Sequence, residues 1–157
     1  MRCSTILSLA LLSFRAKREI FLLSLFLLAG ACLAQTQFAR AVGGTDYDWG
    51  YSVVQTADGG FAVAGFTESF GAGYYDFFLV KFSAAGAVEW SRAVGGTNGD
   101  YGRSVVQTAD GGYAVAGYTG SFGAGDYDLF LVKFSPAGAV EWYIAIASTN
   151  EKYYITV

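Results

Sequence analysis

The sequence predicts an all-β fold of two four-stranded antiparallel units plus an extra strand. Three observations carry that prediction. Residues 39–90 and 91–142 align without a gap at a period of 52, and 41 of those 52 positions are identical. A period of that length marks a repeated supersecondary unit that needs neighbours to bury its faces. The composition is rich in glycine (21) and aromatics (17%) and holds a single proline. Finally, short apolar runs are separated by glycine-containing turn signals, the pattern of strands rather than helices.

Within the repeat, 87–94 reads as one strand, from Ala87-Val-Glu-Trp90 into Ser91-Arg-Ala-Val94. Gly95-Gly96-Thr97 stops it, and Arg103–Thr108 forms the next. Asp110-Gly111 marks a tight hairpin, because Asp-Gly supplies the positive φ that short hairpin turns need. Tyr113–Thr119 is a third strand, its Ala, Val and Gly residues suited to burial on both faces. Gly65 and Gly117 allow close backbone approach there. Asp128–Phe134 is the fourth. The first copy repeats this plan at 37–42, 51–56, 61–67 and 76–82. On the last of these, Phe78, Val80 and Phe82 share one face, and Phe77, Leu79 and Lys81 share the other. A lysine among apolar residues places that strand near a sheet edge.

Four short antiparallel strands per repeat match one β-propeller-type blade. The units run 35–86 and 87–138, and 139–157 begins a third. Ring closure takes at least about four blades, so two make an incomplete ring. Three arrangements satisfy that limit: a piece of a longer propeller, a ring completed by further chains, or a small sandwich.

Residues 1–34 differ in kind. Arg15-Ala-Lys17-Arg18 precedes the apolar run Ile20–Leu28 and the small residues of Ala29–Ala34. That order predicts an export signal, so the chain is expected to be secreted or held in the cell envelope. Three fates are compatible with it: cleavage after Ala34, lipidation at Cys32, or retention as an anchor. Both cysteines, Cys3 and Cys32, lie in this leader, so the repeats need no disulfide. From Gln35 onward there are 6 basic and 12 acidic residues. This acidic balance disfavours nucleic acid, whose binding needs Lys and Arg against the phosphates.

The run Gly43-Gly-Thr-Asp-Tyr-Asp-Trp-Gly-Tyr-Ser-Val-Val-Gln-Thr-Ala-Asp-Gly-Gly-Phe-Ala-Val-Ala-Gly-Phe-Thr67 resembles the β-propeller repeats of bacterial and archaeal surface proteins. So do Asp76–Phe82 and Gly86–Trp90, with their second-copy equivalents. The resemblance covers about 38–147. It implies blades in an exported setting, usually in more copies than two, and no particular activity.

Few residues offer chemistry. Histidine is absent, which removes the usual base at neutral pH. The repeated serines have no base partner in the pattern, and Glu89 and Glu141 read as solvent-facing. No enzyme is expected. Asp48 and Asp100, the repeated loop carboxylates, are the candidate calcium ligands, since hard cations take several oxygens. The same residues serve equally as acceptors for backbone N–H groups in a turn. Asp76 and Asp128 read as strand-entry caps, and Asp58 and Asp110 as hairpin residues. Tyr47, Trp49 and Tyr101 are the candidate ligand-binding aromatics, with Tyr51, Tyr74, Tyr75 and Tyr127 around them. Such rings stack on sugars or bury against a protein partner. Trp90 and Trp142 read as core fillers. The expected partners are copies of this chain or further blades, a surface glycan, or another protein.

Overall fold

The computed structural model describes residues 39–147 and the backbone of 152–156. The expected leader at 1–34, with the expected cleavage site after Ala34 and Cys32, lies outside the described residues. Among the described residues there are nine strands and no helix. Sheet one takes β1 (Asp48–Gln55), β2 (Phe61–Thr67), β3 (Asp76–Phe82) and β4 (Val88–Val94) in that spatial order. Sheet two repeats it with β5 (Asp100–Gln107), β6 (Tyr113–Thr119), β7 (Asp128–Phe134) and β8 (Val140–Ile146). The fifth strand of sheet two is β9 (Lys152–Thr156), paired antiparallel to β8. All neighbouring strands within each sheet run antiparallel. These are two blade-like sheets, and no closed ring is present among the described residues.

The sheets are phased differently from the sequence periods. The strand at 87–94 closes sheet one through β3 rather than opening the next unit. Likewise 140–146 closes sheet two. This explains a difference in the first copy. No strand is present at residues 39–42, although 37–42 reads as one. By its phase it would close a preceding sheet, whose third strand would fall at 24–30, where the sequence does not follow the repeat.

The first strand of each sheet starts three residues earlier than its sequence suggests. A register shift between Gly50 and Ser52, and again between Gly102 and Ser104, marks a bulge. A bulge leaves an extra residue, Tyr51 or Arg103, outside strict alternation. Pairing then resumes as far as Asp48 and Asp100. The Asp-Gly hairpins are also longer than a two-residue turn. Thr56 to Gly60 forms the connection, with Gly59 N–H donating to the Thr56 carbonyl at 2.9 Å. Gly59 and Gly111 take the positive φ in these turns, +80° and +81°.

The core lies between the sheets. Cross-strand pairing puts Ala62, Ala64, Phe77 and Leu79 on the trailing face of sheet one. They meet Val105, Val115, Phe130 and Val132 on the leading face of sheet two, and all eight are buried. Phe77 stands edge-on to Phe130 at 5.7 Å and stacks on Phe134 at 6.5 Å. Trp90 joins this core edge-on to Tyr113 at 5.5 Å.

Lys81 does not mark an edge. It lies on β3, flanked by β2 and β4, and is buried. Its ammonium reaches Asp58 at 2.8 Å and Glu89 at 2.9 Å. Burial alone pulls the Lys81 ammonium below the ordinary lysine range, but the two carboxylates outweigh it and hold it above. Lys133 repeats the arrangement with Asp110 and Glu141. A buried lysine is tolerated on an inner strand when paired in this way.

Candidate functional site

The loops at one end of the sheets are built by the repeated aspartates. Asp48 Oδ2 accepts the Gly44 N–H at 2.8 Å and the Ser69 hydroxyl at 2.7 Å, while Oδ1 accepts the Thr67 hydroxyl. Asp100 repeats each contact with Gly96, Ser121 and Thr119. Burial pushes the Asp48 carboxyl up, but these hydroxyl and N–H donors outweigh it and hold it below the usual carboxylate range. Both carboxylates thus act as turn organisers. No cluster of three or more ligating side chains occurs among the described residues.

Asp100 meets Asp76 where the two sheets join. A Cβ at Gly95 would lie 2.2 Å from Asp76 Oδ1 and 2.5 Å from Asp100 Oδ2, so glycine is required for both carboxyl groups to close over this backbone. Asp76 Oδ2 accepts the Gly73 N–H at 3.1 Å, while the buried Oδ1 has no partner. Burial, and then the charge of Asp100, push the Asp76 carboxyl up. A carboxyl raised in the folded state contributes its full stability below the unfolded value of 3.8 and loses it as pH rises through the folded value. Asp76→Asn keeps an acceptor for Gly73 and carries no charge. It is expected to raise the thermal midpoint at pH 7, with the gain vanishing below pH 3.8. Melting curves at pH 7 and pH 3 check this, and a lower midpoint at pH 7 would refute it.

The aromatic residues gather at the same end. Tyr101, from sheet two, inserts between Phe66 (5.3 Å) and Tyr75 (5.5 Å) of sheet one. It is therefore a plug between sheets. Its repeat equivalent Trp49 stacks on Phe66 at 6.4 Å and is 56% exposed. Tyr47, Tyr74 and Tyr127 are exposed as well. Arg103 lies over the Tyr51 ring at 3.9 Å and bonds the Tyr118 hydroxyl. An open hollow of about 350 Å³ is lined by Tyr101, Tyr118 and Tyr127.

The larger feature is the open trailing face of sheet two, together with a leading face of sheet one that is exposed only in part; sequence reasoning missed both. The second copy presents Val106, Leu129, Trp142 and Ile146 to solvent on its trailing face. Leu129 is 53% exposed, whereas Phe77 at the same repeat position is 0% exposed. Trp142 accordingly fills no core, unlike Trp90. On the leading side, Val53 is 64% exposed and its equivalent Val105 is 5% exposed. Phe78 and Val80 on that side are buried, and Phe70 stacks on Phe78 at 5.8 Å. The missed signal was phase. Once β4 is assigned to the first sheet, positions 52 apart identify which faces meet and which are left open.

Comparison with protein-family models finds no match, and comparison with curated proteins finds none either.

Proposed function

We propose that this chain is an exported structural and interaction module of β-propeller type, whose two open sheet faces are its binding surfaces. The observation that carries the reading is the contrast between equivalent positions. Leu129 and Val53 are half exposed or more where Phe77 and Val105 are buried. Apolar side chains clustered on one face of a sheet mark an interaction surface. The resemblance to surface-protein propeller repeats supports the same role, since such blades function by stacking on other blades.

A carbohydrate ligand for Tyr47, Trp49 and Tyr101 is the second reading. Exposed Tyr47 and Trp49 favour it. Tyr101 disfavours it, because Phe66 and Tyr75 already occupy that ring.

Light scattering tests the leading proposal. The full chain is expected to give a mass above that of one chain, and Leu129→Glu is expected to lower it. A single-chain mass at every concentration, or an unchanged mass for Leu129→Glu, would refute it.

A further inference from the structure

We infer that the partner of the open faces is a second copy of this chain, docked head to tail in the geometry of the internal junction between sheets one and two. The inference rests on the proposed role of those faces and assigns their occupant.

The internal junction is a working template. It brings the trailing face of sheet one onto the leading face of sheet two. The faces left over are the trailing face of sheet two and the leading face of sheet one, on which Val53 is exposed while Phe78 and Val80 are covered, with Arg40 and Val42 beside them. These are the same two surfaces, 52 residues later and 52 residues earlier. Few positions differ between the copies, so a second molecule offers nearly the surface that the first repeat already binds. Most replacements on these faces keep an apolar or aromatic side chain: Phe77 becomes Leu129, Phe66 becomes Tyr118, and Trp49 stands for Tyr101.

The hollow at the loop end fits this docking. Within the chain, Tyr101 fills the space between Phe66 and Tyr75. Shifted by one repeat, the walls become Tyr118 and Tyr127 and the plug becomes Trp49. Those walls line the hollow of about 350 Å³, and Trp49 is the exposed ring that needs a seat.

Polar contacts transfer in the same way. The Val105 N–H donates to Ser52 Oγ at 3.2 Å, and the Asp100 N–H to the Tyr75 carbonyl at 2.7 Å. Across copies the donors become Val53 and Asp48, and the acceptors Ser104 and Tyr127. Arg103 stacks on Tyr51 at 3.9 Å within the chain. These two residues share one repeat position, so in a row of copies tyrosine and arginine alternate. Every junction then joins one Tyr51 to one Arg103. Two features do not transfer: Gly95, over which Asp76 and Asp100 close, has Ala147 as its equivalent after β8, and one hydrogen bond is lost. Arg92 donates to the Ala137 carbonyl at 3.4 Å, and its equivalent is Ile144.

Head-to-tail contacts of this type close into rings or continue as fibres. With 4–8 blades per propeller, a ring takes roughly two to four chains.

Two variants in the full chain test the inference. Val53→Glu blocks the leading face and leaves the trailing face intact. Leu129→Glu does the reverse. Each alone is expected to run as a single chain, and an equimolar mixture as a one-to-one pair with twice the mass. Head-to-tail docking predicts this rescue, because the intact trailing face of one variant meets the intact leading face of the other. A variant that still pairs with itself, with no new species on mixing, would show like faces meeting and overturn the inference while leaving the open faces as interaction surfaces. A wild-type chain that never associates would overturn both. Circular dichroism matching wild type shows that each variant is folded. Val106→Glu mixed with Trp49→Ala repeats the test at independent positions, and absence of a pair in both folded mixtures counts against head-to-tail docking.

Discussion

Phe77→Ala is expected to destabilise the protein by about 3–5 kcal/mol, whereas Leu129→Ala, at the same repeat position, is expected to cost less than about 1 kcal/mol. The two residues occupy equivalent places on β3 and β7; Phe77 pairs with Phe66 and Val94, and Leu129 with Tyr118 and Ile146. The larger difference in their surroundings is what covers them. Phe77 is 0% exposed and contacts the Phe130 and Phe134 rings of the other sheet. Truncating it removes a large buried apolar surface and opens a cavity that two hydrogen-bonded sheets cannot collapse to fill. Leu129 has water on its outer side, so truncation leaves no cavity. Urea titration of both variants checks the contrast. It is best made in the Val53→Glu background, where docking of another copy cannot cover Leu129. Equal losses at the two sites would show that the sheets do not share the core described above.

Gly65→Ala and Gly117→Ala are expected to destabilise by more than about 3 kcal/mol each, the upper end of overpacking effects. A Cβ on Gly65 would sit 1.7 Å from the Trp49 carbonyl oxygen and 2.9 Å from Gly50 Cα. On Gly117 it would sit 1.8 Å from the Tyr101 carbonyl oxygen and 3.1 Å from Gly102 Cα. Both glycines face the bulge, where the extra residue swings the neighbouring carbonyl inward over the second strand. Neither has positive φ, so the requirement is for space and not for backbone freedom. The clash is with backbone, which can yield only by breaking the β1–β2 or β5–β6 pairing. Thermal melting of the single variants measures the effect, and a loss below about 1 kcal/mol would mean the bulge can relax.

These two experiments separate what was legible in the sequence from what was not. The strands at 61–67 and 113–119 were readable because Ala, Val and Gly alternate between Asp-Gly turns, a local pattern. The face sharing of Phe77 with Leu79, and of Phe78 with Val80, followed from the period of two. The need for glycine at 65 and 117 was also visible, although not its cause. Asp48 and Asp100 were readable as turn acceptors, because short polar side chains bond nearby N–H groups.

Lys81 was misread because strand position cannot be judged from one charge. Its partners, Asp58 and Glu89, lie 23 and 8 residues away. Tyr101 reads with Tyr47 and Trp49 as a candidate ligand-binding aromatic, and the structure holds it between Phe66 and Tyr75. Nothing local distinguishes Tyr101 from Trp49, since both occupy the same repeat position.

By itself, then, the sequence determined eight of the nine strands to within about three residues, their alternation and the existence of two nearly equal sheets, but neither β9 nor the absence of a strand at 39–42. These depend on side-chain periodicity and turn residues within a few positions, which is the range over which local sterics act. Only the tertiary structure decided which strand closes which sheet, which of two equivalent faces is buried, and where the carboxyls of Asp76 and Asp100 meet. Those outcomes depend on what lies across the junction. Two segments 41 of 52 positions identical carry almost the same local information, so their different fates are set by neighbours: sheet one has sheet two on its trailing side, and the trailing side of sheet two is open.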